Sequence, residues 1–108
     1  LLHLMRHDFL NEERFSKSFA RGKFRIKNWG KQRIIRELKI KNISSYNIKT
    51  ALKEIDEELY VKTIEKIAIS KKITIKESNL FKKNKKIYDY LYRKGYESSL
   101  ILETISKL

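Results

Sequence analysis

The sequence contains no cysteine, no proline and only three glycines among its 108 residues. The lack of cysteine excludes disulfides, thiolate zinc sites and a cysteine nucleophile. With so few residues that break helices, and with apolar residues recurring at intervals of three and four, we expect helices rather than strands. No apolar run approaches the roughly 18 to 20 residues that span a bilayer, and no signal peptide is recognisable. We therefore expect a soluble, cytoplasmic protein.

A three-helix unit occurs twice in the sequence. Ile34 aligns with Ile87, and the apolar positions that follow keep the same offset of 53 residues (87 − 34). The acidic segment 11–15 recurs as 56–60 at an offset of 45 (56 − 11), so the second copy has eight additional residues between its first and second helices. Such self-similarity is typical of stacked helical scaffolds, which usually bind partners. We predict an all-α fold of tandem three-helix repeats packed into an elongated, curved helical module.

The repeats divide the chain into three predicted segments. Residues 1–10 are expected to be the tail of a truncated upstream repeat, because Leu1 is not a methionine and the apolar residues after it fit the last turns of a helix. Residues 11–55 form one three-helix repeat. Residues 56–108 form another, in which the inserted stretch 73–84 is compatible with either an extended helix or a loop.

Side chains that cap helices and rows of apolar residues define the predicted elements. The predicted caps are Asn11, either Ser44 or Ser45, Asp56 and, at the C-terminal end of a helix, Gly95. In the first helix, Phe15, Phe19 and Ile26 share one side at 100° per residue and are predicted to face the core. The other predicted core positions are Ile34, Ile35, Leu38, Ile48, Leu52, Ile55, Tyr60, Ile64, Ile67, Ala68, Ile87, Leu91, Ile101, Ile105, Leu108 and either Tyr88 or Tyr90.

Positive charge is in large excess: Lys and Arg number 26, Asp and Glu 13, and the formal net charge is +13. This balance favours a polyanionic partner, which is a nucleic acid, a nucleoprotein or an anionic membrane surface. Compositional drift from AT-rich coding is an alternative source of part of the excess. Against it, Arg14, Lys17, Arg21 and Arg25 share one side of the predicted first helix with no acid among them, although they repel one another. We interpret these four residues, the basic stripe, as a binding surface.

Residues that carry chemistry are scarce. His3 and His7 have the spacing at which two imidazoles on a helix bind one metal ion, with Asp8 adjacent, but no further ligand joins them and a plain surface turn is the simpler interpretation. There is no phosphate-binding glycine loop and no nucleophile with a nearby base. We therefore predict that the protein is not an enzyme and uses no cofactor or metal.

The aromatic residues allow two interpretations. Trp29, flanked by Lys27 and Lys31, either seals the corner between two helices or stacks on a base or in a partner's pocket. The tyrosines at 88, 90, 92 and 96 resemble a stacking set, but their helical spacing favours a division between core and surface.

Several passages resemble the RecX-family regulators of the RecA recombinase over nearly the whole chain. They are Asn11-Glu12-Glu13-Arg14-Phe15, Phe19-Ala20-Arg21, Trp29-Gly30-Lys31-Gln32-Arg33-Ile34-Ile35-Arg36-Glu37-Leu38, Ile43 and Leu91-Tyr92-Arg93-Lys94-Gly95-Tyr96. Ser16 stands where the family often has alanine, and Asn42 where it often has glycine.

The resemblance implies an architecture and a partner. The family has three tandem three-helix repeats, which implies that this chain holds the second and third. Its members bind in the groove of the RecA–single-stranded DNA filament and restrain ATPase activity and strand exchange, and some also contact DNA weakly. By resemblance, Arg21, Lys31, Arg33 and Arg36 are the positions expected to carry this binding.

We accordingly predict a monomeric, non-enzymatic regulator that docks a concave basic surface in the filament groove. The predicted partner-binding residues are Arg14, Lys17, Arg21, Arg25, Lys31, Arg33 and Arg36. A secondary basic cluster comprises Lys71, Lys72, Lys82, Lys83, Lys85 and Lys86. The alternative is a helical module that binds single- or double-stranded DNA directly through phosphate contacts from the basic stripe and the lysines at 82–86. A membrane-surface binder is the weakest hypothesis, because the apolar faces are needed for the core.

Overall fold

The chain folds into six helices in two units. The computed structural model describes the backbone of residues 2–108 and the side chains of residues 12–108, and this part of the chain contains no strand. The helices are α1 (Leu2–Lys27), α2 (Lys31–Ile40), α3 (Ser45–Leu52), α4 (Glu57–Thr74), α5 (Leu80–Lys94) and α6 (Ser98–Ser106). Helices α1–α3 form the first repeat and α4–α6 the second, within a molecule of 62 × 23 × 21 Å. The predicted all-α fold of tandem three-helix repeats is confirmed. None of the helices described is long and apolar enough to cross a membrane.

The predicted N-cap at Asn11 is wrong. Helix α1 begins at Leu2 and continues through this position, across the predicted segment boundary between residues 10 and 11. The acid that follows serves another helix instead, since a carboxylate oxygen of Glu12 accepts the backbone N–H of Ser44 at 2.6 Å. The side chains of the predicted upstream tail, including His3, His7 and Asp8, lie outside the described residues.

Three of the predicted caps are confirmed. The Ser44 hydroxyl accepts the N–H of Asn47 at 3.2 Å, and an Asp56 carboxylate oxygen accepts the N–H of Glu58 at 3.2 Å. Gly95 ends α5 with a φ of +104°, in the left-handed region that an L side chain rarely adopts.

The buried face of α1 differs from the predicted one. Phe15 is 44% exposed and Ile26 is 78% exposed, whereas Ser16, Ala20 and Phe24 are buried in a row with i, i+4 spacing. The reason is that α1 packs mainly on α3. The small side chains of Ser16 and Ala20 let the two helix backbones approach closely, so Phe15 lies beside the contact rather than in it.

The other rows of core residues agree with the prediction. The fully buried members are Ile34, Leu38, Ile48, Ile55, Tyr60, Ile64, Ala68, Ile87, Leu91 and Ile101. The partly buried ones are Ile35, Leu52, Ile67, Tyr88, Tyr90, Ile105 and Leu108. Both of the tyrosines offered as alternatives therefore contact the core.

The inserted stretch in the second repeat is divided between helix and loop. Helix α4 continues to Thr74, and a short connection leads to α5, which begins at Leu80. The side chain of Asn79 accepts the N–H of Lys82 at 3.1 Å and caps α5. Both of the interpretations left open for this stretch thus apply to parts of it.

The two repeats are joined end to end through the backbone. At the start of α2, the N–H of Gly30 donates to the carbonyl of Lys94 at 2.8 Å, and the N–H of Gln32 donates to the carbonyl of Gly95 at 2.9 Å. The first N–H groups of a helix have no acceptor within that helix. Here two backbone carbonyls of the second repeat accept their hydrogen bonds. This arrangement, the joint, replaces the side-chain cap that α2 lacks.

Two glycines make the joint sterically feasible. A Cβ atom on Gly30 would lie 2.3 Å from the carbonyl carbon and oxygen of Gly95. A Cβ atom on Gly95 would lie 2.3 Å from the Cβ of Arg33. The obstructing atoms belong to the backbone or to the root of a side chain, so they cannot rotate away. Any other residue at these positions must push the two repeats apart.

Two buried tyrosines complete the joint. The rings of Tyr60 and Tyr96 lie 5.3 Å apart, and the hydroxyl of Tyr96 donates to the carbonyl of Asn28 at 2.9 Å. The hydroxyl of Tyr60 accepts the N–H of Lys31 at 2.9 Å and donates to a carboxylate oxygen of Glu97 at 2.5 Å. Burial raises the pKa of both phenols, and the hydrogen bond to Glu97 raises that of Tyr60 further.

Replacing either joint glycine by alanine is expected to destabilise the protein. Gly30→Ala and Gly95→Ala should each lower the free energy of unfolding by about 2–4 kcal/mol, through backbone displacement and, at the latter, the unfavourable φ. Urea unfolding followed by circular dichroism measures the change. Gly22→Ala is the matched control, because a Cβ there meets nothing within 4 Å, and it should stabilise α1 by about 0.5–1 kcal/mol. Wild-type stability of Gly30→Ala would contradict the described joint.

The raised pKa values of Tyr60 and Tyr96 predict loss of stability in alkali. The fold favours the neutral phenols, so their contribution is fully present below the ordinary tyrosine pKa of about 10 and is lost as the pH rises above it. The stability difference between the wild type and Tyr96→Phe should therefore shrink between about pH 9 and pH 11. Urea unfolding across this range tests it. Tyr46→Phe is the matched control, because it removes the same hydroxyl group from an exposed ring.

Candidate partner-binding surfaces

The basic stripe of α1 lies outside the core. Arg14, Arg21 and Arg25 are exposed, while Lys17 forms an ion pair with Glu13 at 3.3 Å. In the part of the chain that the structure describes, the three arginines form no ion pair. Their guanidinium groups are therefore accessible to an anionic partner, and their role in binding one stays a prediction.

Two of the predicted partner-binding residues take part in the joint. The ammonium group of Lys31 contacts the carboxylate of Glu57 and lies 4.7 Å from the centre of the Tyr60 ring. The guanidinium of Arg33 lies 4.3 Å from the centre of the Trp29 ring. These contacts give both cations a structural role, and their part in partner binding remains untested.

Trp29 seals the corner between α1 and α2. Its ring meets that of Phe19 edge to face with centres 6.1 Å apart, and the ammonium of Lys23 lies 5.0 Å from its centre. With Arg33 also over the ring, the indole is surrounded by the chain's own side chains. This agrees with the corner-sealing interpretation rather than with an open stacking platform.

A groove of about 730 Å³ runs beside the joint and takes residues from both repeats. We call it the joint groove, and it is lined by Gln32, Ile35, Arg36, Lys39, Ile40, Tyr92, Tyr96, Glu97 and Ser98. Ile40 is 68% exposed and Tyr92 is 58% exposed, so two large apolar side chains border it. Arg36 and Lys39 add positive charge from α2. An exposed apolar surface beside cationic groups is typical of protein–protein contacts.

One wall of the joint groove is held in place by side-chain contacts. The rings of Tyr88 and Tyr92 stack nearly in parallel, with centres 5.9 Å apart and an angle of 13°. The hydroxyls of Tyr88 and Ser98 lie 2.7 Å apart in a hydrogen bond that connects α5 to α6. The exposed ring of Tyr92 is thus positioned before any partner arrives, which reduces the entropy lost on binding.

Of the residues predicted to bind the partner, only Arg36 lines the joint groove. Tyr92 was considered only as a member of a possible stacking set, and Ile40 was not singled out, although an apolar residue outside a predicted core row is a signal that a sequence offers. The remaining walls depend on how α2 packs against α5 and α6. The spacing of apolar residues within one helix does not predict that packing.

The members of the secondary basic cluster lie on two helices, α4 and α5, and their action as one binding surface stays a prediction. Lys71 lies 4.4 Å from the centre of the Tyr90 ring, whereas the ammonium of Lys72 donates to the backbone oxygen of Leu108 at 3.1 Å. The other four members, Lys82, Lys83, Lys85 and Lys86, lie in the first two turns of α5. Positive charge there opposes the helix dipole and weakens the helix. Of these four, Lys86 forms an ion pair with Glu77 at 3.8 Å.

Metal binding finds no support in the described side chains, where no group of three or more His, Cys, Asp or Glu residues is placed to hold an ion. Glu97, the one acid at the joint groove, already accepts the hydrogen bond of Tyr60.

Comparison with known proteins gives one match for each repeat. Residues 11–52 match a family model described as the second three-helix domain of RecX, and residues 57–105 match one described as its third three-helix domain. No curated protein and no solved structure gives a significant match. The matched segments fall on α1–α3 and on α4–α6, so both units of the fold are covered.

Proposed function

The chain belongs to the RecX family of RecA regulators, and from this premise we propose that it is a non-enzymatic protein that binds the RecA–single-stranded DNA filament. It lies in the groove of the filament and inhibits ATPase activity and strand exchange. The observation that carries the proposal is the pair of family matches, one on each repeat. We further propose that the protein acts as a cytoplasmic monomer in homologous recombination, DNA repair and the SOS response.

The shape of the molecule supports binding along a groove. It is about three times longer than it is wide, with extents of 62 × 23 × 21 Å. An elongated molecule can lie along such a groove and contact neighbouring subunits of the filament. By bridging neighbouring subunits, the protein opposes the movements between them that accompany ATP turnover.

The joint groove is the surface that we assign to the recombinase. Arginine and tyrosine are the residues that most often dominate protein interfaces, and Arg36 and Tyr92 lie here beside the apolar Ile40. The partner surface that fits is an apolar side chain flanked by carboxylates. Because both repeats contribute to the walls, binding at this groove requires an intact joint.

The accessible arginines of the basic stripe support an alternative, direct binding of nucleic acid. Arg14, Arg21 and Arg25 follow one side of α1, and phosphate contacts from such residues carry no sequence information. Affinity of this kind falls steeply with salt, because each contact releases counterions.

Adding the protein to RecA–single-stranded DNA filaments is expected to slow ATP hydrolysis. Arg36→Glu should raise the protein concentration that this inhibition requires by roughly 10-fold or more. The reason is that the substitution turns a cation of the joint groove into an anion that repels the partner's carboxylates. Lys49→Glu is the matched control, because it makes the same charge change at an exposed residue of α3 outside the groove. Thermal unfolding of both variants establishes that the fold is retained.

Two outcomes would count against the proposal. Unchanged ATPase activity at saturating protein would exclude inhibition. Affinity for naked DNA that falls steeply with salt and is unaffected by the recombinase would favour the direct nucleic-acid alternative.

A further inference from the structure

A second groove, of about 520 Å³, lies between α4 and α5 and shares no lining residue with the joint groove. We call it the lysine groove, and it is lined by Asn28, Thr63, Lys66, Ile67, Ser70, Lys71, Thr74, Tyr90 and Lys94. The two grooves use different sides of α5, since Tyr92 is about 200° around the helix from both Tyr90 and Lys94. Asn28 brings the first repeat into its wall.

The lysine groove carries positive charge without compensation. Three lysines and no acid line it, and within the described side chains Lys66, Lys71 and Lys94 form no ion pair. A concave surface lined with one sign of charge concentrates the potential and attracts the opposite charge.

Two of the three ammonium groups, those of Lys71 and Lys94, are held in position by contacts around Tyr90. The ammonium of Lys71 lies 4.4 Å, and that of Lys94 5.9 Å, from the centre of the tyrosine ring. Lys94 also donates a hydrogen bond to the carbonyl of Lys27 at 3.0 Å. Because these contacts restrict two long side chains before binding, less conformational entropy is lost when a ligand is bound.

The arrangement of the donors indicates an extended ligand. The residues that line the groove on α4 run from Thr63 to Thr74, a length of about 16 Å along the helix axis. The hydroxyls of both threonines donate to backbone carbonyls of α4, and the lysines are the charged donors of the groove. A single small anion needs donors that converge on one point, whereas a chain of phosphates meets charges placed in series.

We propose that the lysine groove binds the phosphodiester backbone of a nucleic-acid strand through Lys66, Lys71 and Lys94. The contacts are to phosphate only, so binding is independent of sequence. This site is separate from the basic stripe and from the joint groove, and the proposal does not rest on binding to the recombinase.

The test is the salt dependence of binding to a labelled single-stranded oligonucleotide, measured by fluorescence anisotropy without recombinase. For single strands, the slope of log K against log salt concentration changes by about 0.7 for each phosphate contact. The double variant Lys66→Gln/Lys71→Gln should therefore reduce the magnitude of the slope by about 1.4. The single variant Lys66→Gln should reduce it by about 0.7, and it leaves the contacts around Tyr90 intact.

The matched control is Lys49→Gln/Lys53→Gln, which removes the same charge from two exposed lysines outside the groove and should leave the slope unchanged. Equal slopes for the groove variants, the control and the wild type would overturn the proposal. Equal slopes together with intact ATPase inhibition would overturn nucleic-acid binding at the lysine groove and leave the proposed regulation of the recombinase standing. A changed slope without ATPase inhibition would instead overturn the proposed regulation of the recombinase and support the groove.

Discussion

The backbone hydrogen bonds between the start of α2 and the end of α5 are the constraint on which the rest of the structure depends. Each repeat has only about 50 residues, and a unit of that size buries too little surface to be robust by itself. The joint brings the positive end of one helix dipole against the negative end of another, and it buries Tyr60 and Tyr96 around the contact. Both grooves take residues from each repeat, so their shapes are set at this contact.

The joint also determines which cations are accessible. Lys31 and Arg33 are the first two basic residues of α2, yet each lies over an aromatic ring in the structure. Arg36, one turn further along α2, is exposed at the joint groove. The net charge of +13 therefore overstates the charge available for partners, because part of it stabilises contacts within the chain.

Much of the fold could be predicted from local signals. The caps at Ser44 and Asp56 and the left-handed Gly95 depend on residues close in sequence, and the core rows of the later helices depend on periodicity within one helix. The buried face of α1 could not be predicted in this way, since Ser16 and Ala20 become core residues only through the packing of α3. The same applies to both grooves, whose walls combine residues from separate helices.

The contact between Gly30 and Gly95 could not be predicted from the residues that neighbour them in the sequence. From the sequence, Gly30 is a break between helices and Gly95 is the end of one. Nothing in either neighbourhood shows that these two residues touch, because the reason for both is a steric fit between distant parts of the chain. Both glycines occur in the passages that resemble the family. The reason that glycine is required at these positions is visible only in the fold.

The connection between the first and second helices differs between the two repeats, so the repeats contribute differently to their contact. In the first repeat, the short corner at Trp29 and Gly30 forms backbone hydrogen bonds with the second repeat. In the second repeat the corresponding connection, 75–79, contains no glycine and is followed by the bulky Leu80 and Phe81. The second repeat therefore cannot make at 75–79 the close backbone contact that the first repeat makes at Gly30, so the two repeats are not interchangeable in the stack.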